Sequence, residues 1–304
     1  MPSPFPPKTT RYYESLIDPS DPDDPIARQI RPDPREEIPC PHLGTDPLAE
    51  ADHGPVPGLV RRFADRALVL AHGDCPVHCR HCFRRHRKGG GPLEAAAIDG
   101  IIAWLTGHPE IREVLVSGGE PLLLPDDALD GLLGRLRGVP SVRWLRLATR
   151  IPVVEPSRIT RALVTMLRTH APLHVATHFN HPRELTAAAV EALARLVDAG
   201  LPVVNQAGLL RGVTDDVSIL EALFTGLVEA RVRPYQLFQG DLVAGTDHLR
   251  VPTPVALDLM DALRTRVSGL ALPTLAVDHP DAAAKILLHR GAVLGTVDGI
   301  TRLR

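Results

Sequence analysis

From residue 66 onward the chain alternates apolar runs of strand length with longer, helix-like stretches. The runs fall at 66–71, 113–117, 142–149, 173–177, 201–206 and 234–239, and the stretches between them at 93–106, 126–137, 156–168, 184–199 and 215–229. The last two stretches end near Gly200 and Arg231, where turns are expected. From the second run on, the repeat is roughly 30 residues, which is one strand, a crossover helix and the return. Six such units with right-handed crossovers predict an α/β fold, a partial (β/α)6 TIM-like barrel, with function at the C-terminal ends of its strands. A doubly wound open sheet is the alternative.

The texture before residue 58 differs. Residues 1–57 hold 14 of the 30 prolines, with acidic runs such as Asp18-Pro-Ser-Asp-Pro-Asp-Asp24-Pro25. Such a segment builds neither long helices nor central strands, so an extended arm wrapping the domain of residues 58–304 is expected. With 304 residues and 44% hydrophobic content the chain can bury a large core. It has no uncharged apolar stretch of about 18 residues and no charged-then-apolar leader after Met1, so a soluble, cytoplasmic protein with reduced thiols and no membrane association is expected. A net charge of -2 gives no case for a nucleic-acid partner, which leaves small-molecule work.

Three of the four cysteines stand as Cys75-Pro-Val-His-Cys79-Arg-His-Cys82, directly after the first apolar run. Three thiolates on one loop can hold three irons of a 4Fe-4S cluster and leave the fourth iron open for chemistry. A zinc knuckle is the alternative; it would recruit His72, His78, His81 or His86 as a fourth ligand. Cys40 lies alone in the proline-rich stretch, so no disulfide framework is expected. Ser117-Gly118-Gly119-Glu120-Pro121 comes off the second strand. Its paired glycines let the backbone approach a ligand while the carboxylate faces an ammonium, although a Gly-Gly turn alone is more often only a turn. Of 34 basic residues only Lys8, Lys88 and Lys285 are lysines. Lysine can lose its proton and form an imine, which arginine cannot, so Lys285 in the C-terminal region invites a chemical reason.

A glycine pair one βα unit after a three-cysteine loop resembles the radical S-adenosylmethionine enzymes, in which the methionine end of the cofactor chelates the open iron. The likeness is closer still to the lysine 2,3-aminomutase family, from about residue 12 to the C-terminus. It is carried by Ser15-Leu-Ile-Asp-Pro19, Asp46-Pro-Leu-Ala-Glu50, Pro55-Val-Pro-Gly-Leu59, Cys79-Arg-His-Cys-Phe-Arg-Arg85 and Thr177-His-Phe-Asn-His181, and further by Asn205-Gln206, Leu209-Leu-Arg-Gly-Val213 and Arg231-Val-Arg-Pro-Tyr235.

The resemblance implies an isomerase that moves the α-amino group of L-lysine to the β-carbon. It implies Cys75, Cys79 and Cys82 on the cluster and S-adenosylmethionine at Gly118, Gly119 and Glu120, with Arg150 and His178 as further contacts. Pyridoxal phosphate would be held by Lys285, with its phosphate gripped by Arg62 and Arg66 and a further contact at Gln206. Arg84 matches the arginine for the substrate carboxylate, and Asp241 and Asp278 match the aspartates for the side-chain ammonium, a cation costly to bury alone. A small-molecule amino acid substrate, a reductant such as flavodoxin or ferredoxin, and a homo-oligomer are implied as partners. Elsewhere the chain departs from the pattern. Asp278-His-Pro-Asp281-Ala-Ala-Ala-Lys285 replaces a glycine run, and its alanines favour a tighter loop or a helical turn. Asp216 stands where clostridial-type enzymes carry a zinc cysteine, and the chain stops at Arg304, so no zinc is expected and an oligomer built on a C-terminal extension should differ. The string around Cys82 also resembles the branch acting on a lysine attached to elongation factor P; another amino acid such as arginine, or a non-catalytic iron-sulfur or zinc module, completes the alternatives.

Overall fold

A computed structural model describes residues 5–87, 89–279, 281–282, 284–297 and 300–303; Lys88 lies outside them. The arm contributes two single-turn helices, α1 (Arg11–Glu14) and α2 (Ala27–Ile30), and a 3₁₀ turn at Pro34–Glu37. The first strands and helices are β1 (Leu59–Val60), β2 (Arg66–His72), α3 (Ala95–Thr106), β3 (Glu113–Gly118), α4 (Asp126–Arg137), β4 (Trp144–Ala148), α5 (Ile151–Val154), α6 (Arg161–Thr169) and β5 (Leu173–Thr177). Then come α7 (Ala187–Asp198), β6 (Val203–Leu209), α8 (Val217–Glu229), β7 (Arg233–Gln239), α9 (Thr253–Arg264), β8 (Thr274–Val277), β9 (Ile286–Leu287), and the hairpin β10 (Val293–Val297) and β11 (Ile300–Leu303). Strands β1 to β9 form one sheet in sequential order, with β2 to β8 all parallel and β1 and β9 antiparallel at its two edges. Among the described residues no pairing joins those edges, so the barrel is partial.

All six expected strands form, and β8 adds a seventh parallel one after α9. Two expected helices start later than their apolar pattern. Pro156 opens a 3₁₀ turn before Thr160, whose hydroxyl accepts from Leu163 N at 3.1 Å and starts α6. Thr186 does the same for α7, accepting from Ala189 N at 3.1 Å. A side-chain oxygen satisfies an N–H that the first turn leaves free, so the cap residue sets the boundary.

Sequential parallel strands with right-handed crossovers put every helix on one face of the sheet. That face is apolar: Ala67, Val69, Val114, Val116, Leu145 and Leu147 are buried in one core with Leu129, Leu132, Leu133 and Leu136 of α4. The alternate positions, among them Arg66, Leu68, Leu70 and His72 of β2, Glu113 and Leu115 of β3, Arg146 of β4, His174 of β5 and Gln206 of β6, point to the other side. Charged, imidazole and amide groups set among leucines on that face are suited to a ligand rather than to a wholly apolar barrel centre. Among the described residues no helix is long and apolar enough to cross a membrane.

Candidate active site

The cysteine loop leaves the C-terminal end of β2. Asp74 N donates to His72 Nδ1 at 3.0 Å and Cys75 N to Asp74 Oδ1 at 2.9 Å, which turns the chain out of the strand. Cys82 N donates to Cys79 O at 3.0 Å, closing the turn between those two. The three cysteines are half-buried and free. Burial, with Cys79 beside it, pushes the Cys82 thiol up to about 11, and burial drives Cys75 in the same direction. Bare thiolates at Cys75 and Cys82 are thus disfavoured, and metal coordination is what would deprotonate them.

The turn from β3 packs directly on this loop. Gly118 adopts φ 122, and a side chain on Gly119 would come within 2.2 Å of Asp74 O, so both positions need glycine. Glu120 is buried, and burial pushes its carboxyl up to about 7. It accepts from Leu122 N (3.0 Å), Thr149 Oγ1 (2.7 Å) and Arg150 N (2.9 Å), tying the glycine turn to the end of β4 and using three of its roughly four acceptor sites.

Arg150 joins the loop to the arm. Its Nη1 donates to Cys79 Sγ at 2.8 Å, and its Nη2 to Tyr13 OH (3.0 Å), Gln29 Oε1 (2.5 Å) and Glu184 Oε1 (3.0 Å). His178 stacks on His81 with ring centroids 5.5 Å apart. Burial brings His178 down to about 3 and His81 well below its usual range, so both rings are neutral at pH 7. Nδ1 of His81, Nε2 of His178 and Nε of Arg150 are buried without a hydrogen-bond partner among the described residues. Such groups suit a polar ligand at this loop. Of the four histidines that a zinc knuckle would use, three are otherwise engaged, His72 by Asp74 N, His78 by Pro6 O and His86 by Ala244 O, which leaves His81. Among the described residues no three of His, Cys, Asp or Glu are placed around a single ion. The donor set fits a cluster, in which each thiolate reaches its own iron.

Arg84 is held on its Nε/Nη2 edge by Glu50, at 2.8 and 2.6 Å, while Nη1 donates to Gly118 O at 3.2 Å. The rest of its Nη1/Nη2 edge remains for a carboxylate. His86 Nε2 to Ala244 O (2.9 Å) and Arg85 Nη1 to Gly245 O (2.5 Å) fasten the cysteine loop to the segment after β7, which contains Asp241.

Lys285 points inward. Its Nζ is 2.5 Å from Asp278 Oδ2 and 4.5 Å from the centroid of the Phe238 ring. Asp281, Ala282 and Ala284 form a turn and bend without a helix, and Ala283 lies outside the described residues. Burial lowers the Lys285 amine, against the pull of Asp278 and Asp241. Asp241 is pushed up to about 7, by burial first and then by the charge of Asp278. Arg62 Nη1 lies 3.7 Å from Asp278 Oδ1, and Nη2 donates to His279 O at 2.7 Å. Arg62 Nε and Asp278 Oδ1 have no hydrogen-bond partner among the described residues. Arg62 and Arg66 flank one ring, at 5.5 and 4.0 Å from Phe63, though Arg66 bonds Asp65 (3.0 Å) rather than the Lys285 group. Gln206 faces the same side and donates to Gln236 Oε1 at 3.3 Å. A buried amine beside an aromatic ring, with an arginine whose Nε lacks a partner, fits a phosphorylated aldehyde cofactor.

Tyr13, Gln29 and Glu184, which meet Arg150, and Glu50, which holds Arg84, adjoin the cysteine loop, yet their residue types gave no sign of it. Glu50 alone stood in a quoted string, and nothing in that string marks it as buried.

Residues 71–223 match the radical SAM superfamily. The chain is 42% identical over 280 residues to the L-lysine 2,3-aminomutase of Clostridium subterminale, covering 91% of this chain and 67% of that one. It is 41% identical over 287 residues to a putative L-lysine 2,3-aminomutase of Aquifex aeolicus, covering 93% and 78%. A glutamate 2,3-aminomutase of Clostridioides difficile is 38% identical over 282 residues, covering 90% and 65%. The chain thus spans about two thirds of the length of several curated relatives. Among solved structures, a radical SAM methyltransferase from Sphaerobacter thermophilus superposes with a TM-score of 0.54 at 17% identity, covering 72% of this chain and 68% of that one. Streptococcus suis SuiB bound to S-adenosylmethionine gives 0.53 at 12% identity, covering 71% and 50%. At those identities the likeness is one of fold.

Proposed function

Because this chain belongs to the lysine 2,3-aminomutase family of the radical SAM superfamily, we propose that it converts L-lysine to β-lysine with a 4Fe-4S cluster, S-adenosylmethionine and pyridoxal phosphate. When bound, the first two supply a carbon radical and the third a conjugated ring that stabilises a radical next to it. The observation that carries the lysine reading is the pair Asp241 and Asp278 beside the buried Lys285 amine.

Each residue then has a physical task. Cys75, Cys79 and Cys82 would hold the cluster, and the glycine turn with Arg150 and His178 would hold S-adenosylmethionine against it. Lys285 would tether pyridoxal phosphate, with Arg62, Arg66 and Gln206 at its phosphate. With Lys285 tethered, Asp278 would lose its ion pair with that amine, and Asp241 and Asp278 would neutralise the ε-ammonium of the substrate. Arg84, oriented by Glu50, would take the α-carboxylate on its remaining edge. A glutamate side chain would bring a third carboxylate to Asp241 and Asp278, and the repulsion speaks against it. The Phe238 ring lies against the Lys285 amine, its centroid 4.5 Å away, and gives that side of the site an aromatic wall.

The test is anaerobic loading with iron, sulfide, S-adenosylmethionine and pyridoxal phosphate. The reduced enzyme is offered L-lysine, L-glutamate, L-arginine or elongation factor P carrying the lysine modification. β-Lysine is expected from free lysine, and none from Lys285→Arg. Free lysine left unchanged while one of the other substrates reacts would refute the assignment.

A further inference from the structure

The cysteine loop carries Arg80, Arg84, Arg85 and Arg87, and each is paired with a glutamate that the proline-rich arm supplies. Glu36, its side chain 4% exposed, accepts from Arg80 Nε at 2.7 Å, from Arg80 Nη2, and from Arg85 Nη2 at 2.5 Å. Glu50, 5% exposed, takes both donors of one Arg84 edge and accepts from Arg87 Nη1 at 3.3 Å. Two buried carboxylates against four guanidiniums leave a net positive charge where three thiolates and a cluster would sit. Buried ion pairs add little to stability compared with apolar packing, so their concentration around one loop calls for another reason. The reduction potential of an iron-sulfur cluster follows the charge and hydrogen bonding around it, and charges shielded from water act strongly at short range.

We infer that Glu36 and Glu50 are positioning residues of the cluster site: by anchoring the loop arginines, the arm fixes both the geometry of the cysteine loop and the charge that sets the cluster's reduction potential. The inference rests on the radical SAM reading of the three cysteines and is independent of the substrate.

Glu36→Gln and Glu50→Gln each keep side-chain length and one acceptor oxygen while removing one negative charge. They are compared in the full chain with wild type and with Glu14→Gln, a half-exposed arm glutamate that pairs with Arg31 instead. Each protein is loaded with iron and sulfide without oxygen and titrated with dithionite, and the midpoint potential is read by EPR with no amino acid present. The potential is expected to rise in Glu36→Gln and Glu50→Gln and to stay put in Glu14→Gln. Arg87→Gln, at a side chain 44% exposed and so tolerant of change, is expected to lower it. The double variant Glu50→Gln/Arg87→Gln should return toward wild type, a rescue that a purely structural anchor would not show. If either glutamine variant fails to fold, the direction of the Arg87→Gln shift decides. Unchanged potentials in cluster-loaded Glu50→Gln and Arg87→Gln overturn the inference and leave the cysteine reading intact. A wild type that assembles no cluster overturns both.

Discussion

Asp241 holds a carboxyl that burial and the neighbouring Asp278 push up to about 7, so it changes charge near neutral pH. Its folded pKa lies above the unfolded value of roughly 4, so between about pH 4 and pH 7 the native state binds more protons than the unfolded one. Stability in the unliganded protein therefore falls as pH rises through that window, and Asp241→Asn should flatten the fall in thermal melts. Substrate binding runs the other way. An ε-ammonium needs the ionised carboxylate, so the KM for lysine should drop as pH rises and Asp241 ionises. Asp241→Asn should lose that slope and raise KM roughly tenfold or more, since a hydrogen bond to a charged group contributes about 1.5–3 kcal/mol. Steady-state rates at pH 6 and pH 8 check both points. The chemical types at this site were legible in sequence: three thiols at fixed spacing, a glycine pair, and one lysine in a C-terminal region otherwise served by arginine. The partners of Arg84 were not legible, because Glu50 lies 34 positions away and meets it only through the path of the arm.

At the scale of elements, the helices hold the sheet by their apolar faces. Leu129, Leu132, Leu133 and Leu136 of α4 recur at helical spacing and are all buried. Leu133→Ala leaves a cavity that the surrounding core fills only in part, and should lower stability by about 2–5 kcal/mol. Urea unfolding checks this, with midpoint reduced and turnover per folded molecule retained, because α4 lies on the face opposite the candidate site. The six longer strands and five helices were readable from period alone. Strand β8 was not: Thr274–Val277 is four residues long and follows the turn of residues 268–272, too short a pattern to stand out. The delayed starts of α6 and α7 follow from the caps Thr160 and Thr186, whose hydroxyls compete with continued helix.

For the whole molecule, the arm is the decisive element. Tyr13, Ile26 and Ile30 belong to the same apolar core as the sheet, while Tyr13, Gln29, Glu36 and Glu50 serve the polar network on the cysteine loop. A chain starting at residue 58 would expose that apolar surface and leave Arg80 buried without its carboxylate. It should unfold at lower urea, bind a hydrophobic dye such as ANS, and retain less iron per chain after gel filtration than the full chain. Equal iron and an equal midpoint would show that the arm is dispensable to the site.

Sequence by itself determined the strand-helix alternation, the end of the sheet on which chemistry gathers, and the residue types of the cysteine loop, because these depend on local period and on spacing within one turn. Only the tertiary structure decided which carboxylate meets which guanidinium, that Lys285 faces Asp278 and Phe238, and that the arm completes the site. Those pairings join distant positions, as Arg62 and Asp278 do. Such contacts depend on how the arm and the sheet lie in space, and no local propensity encodes them.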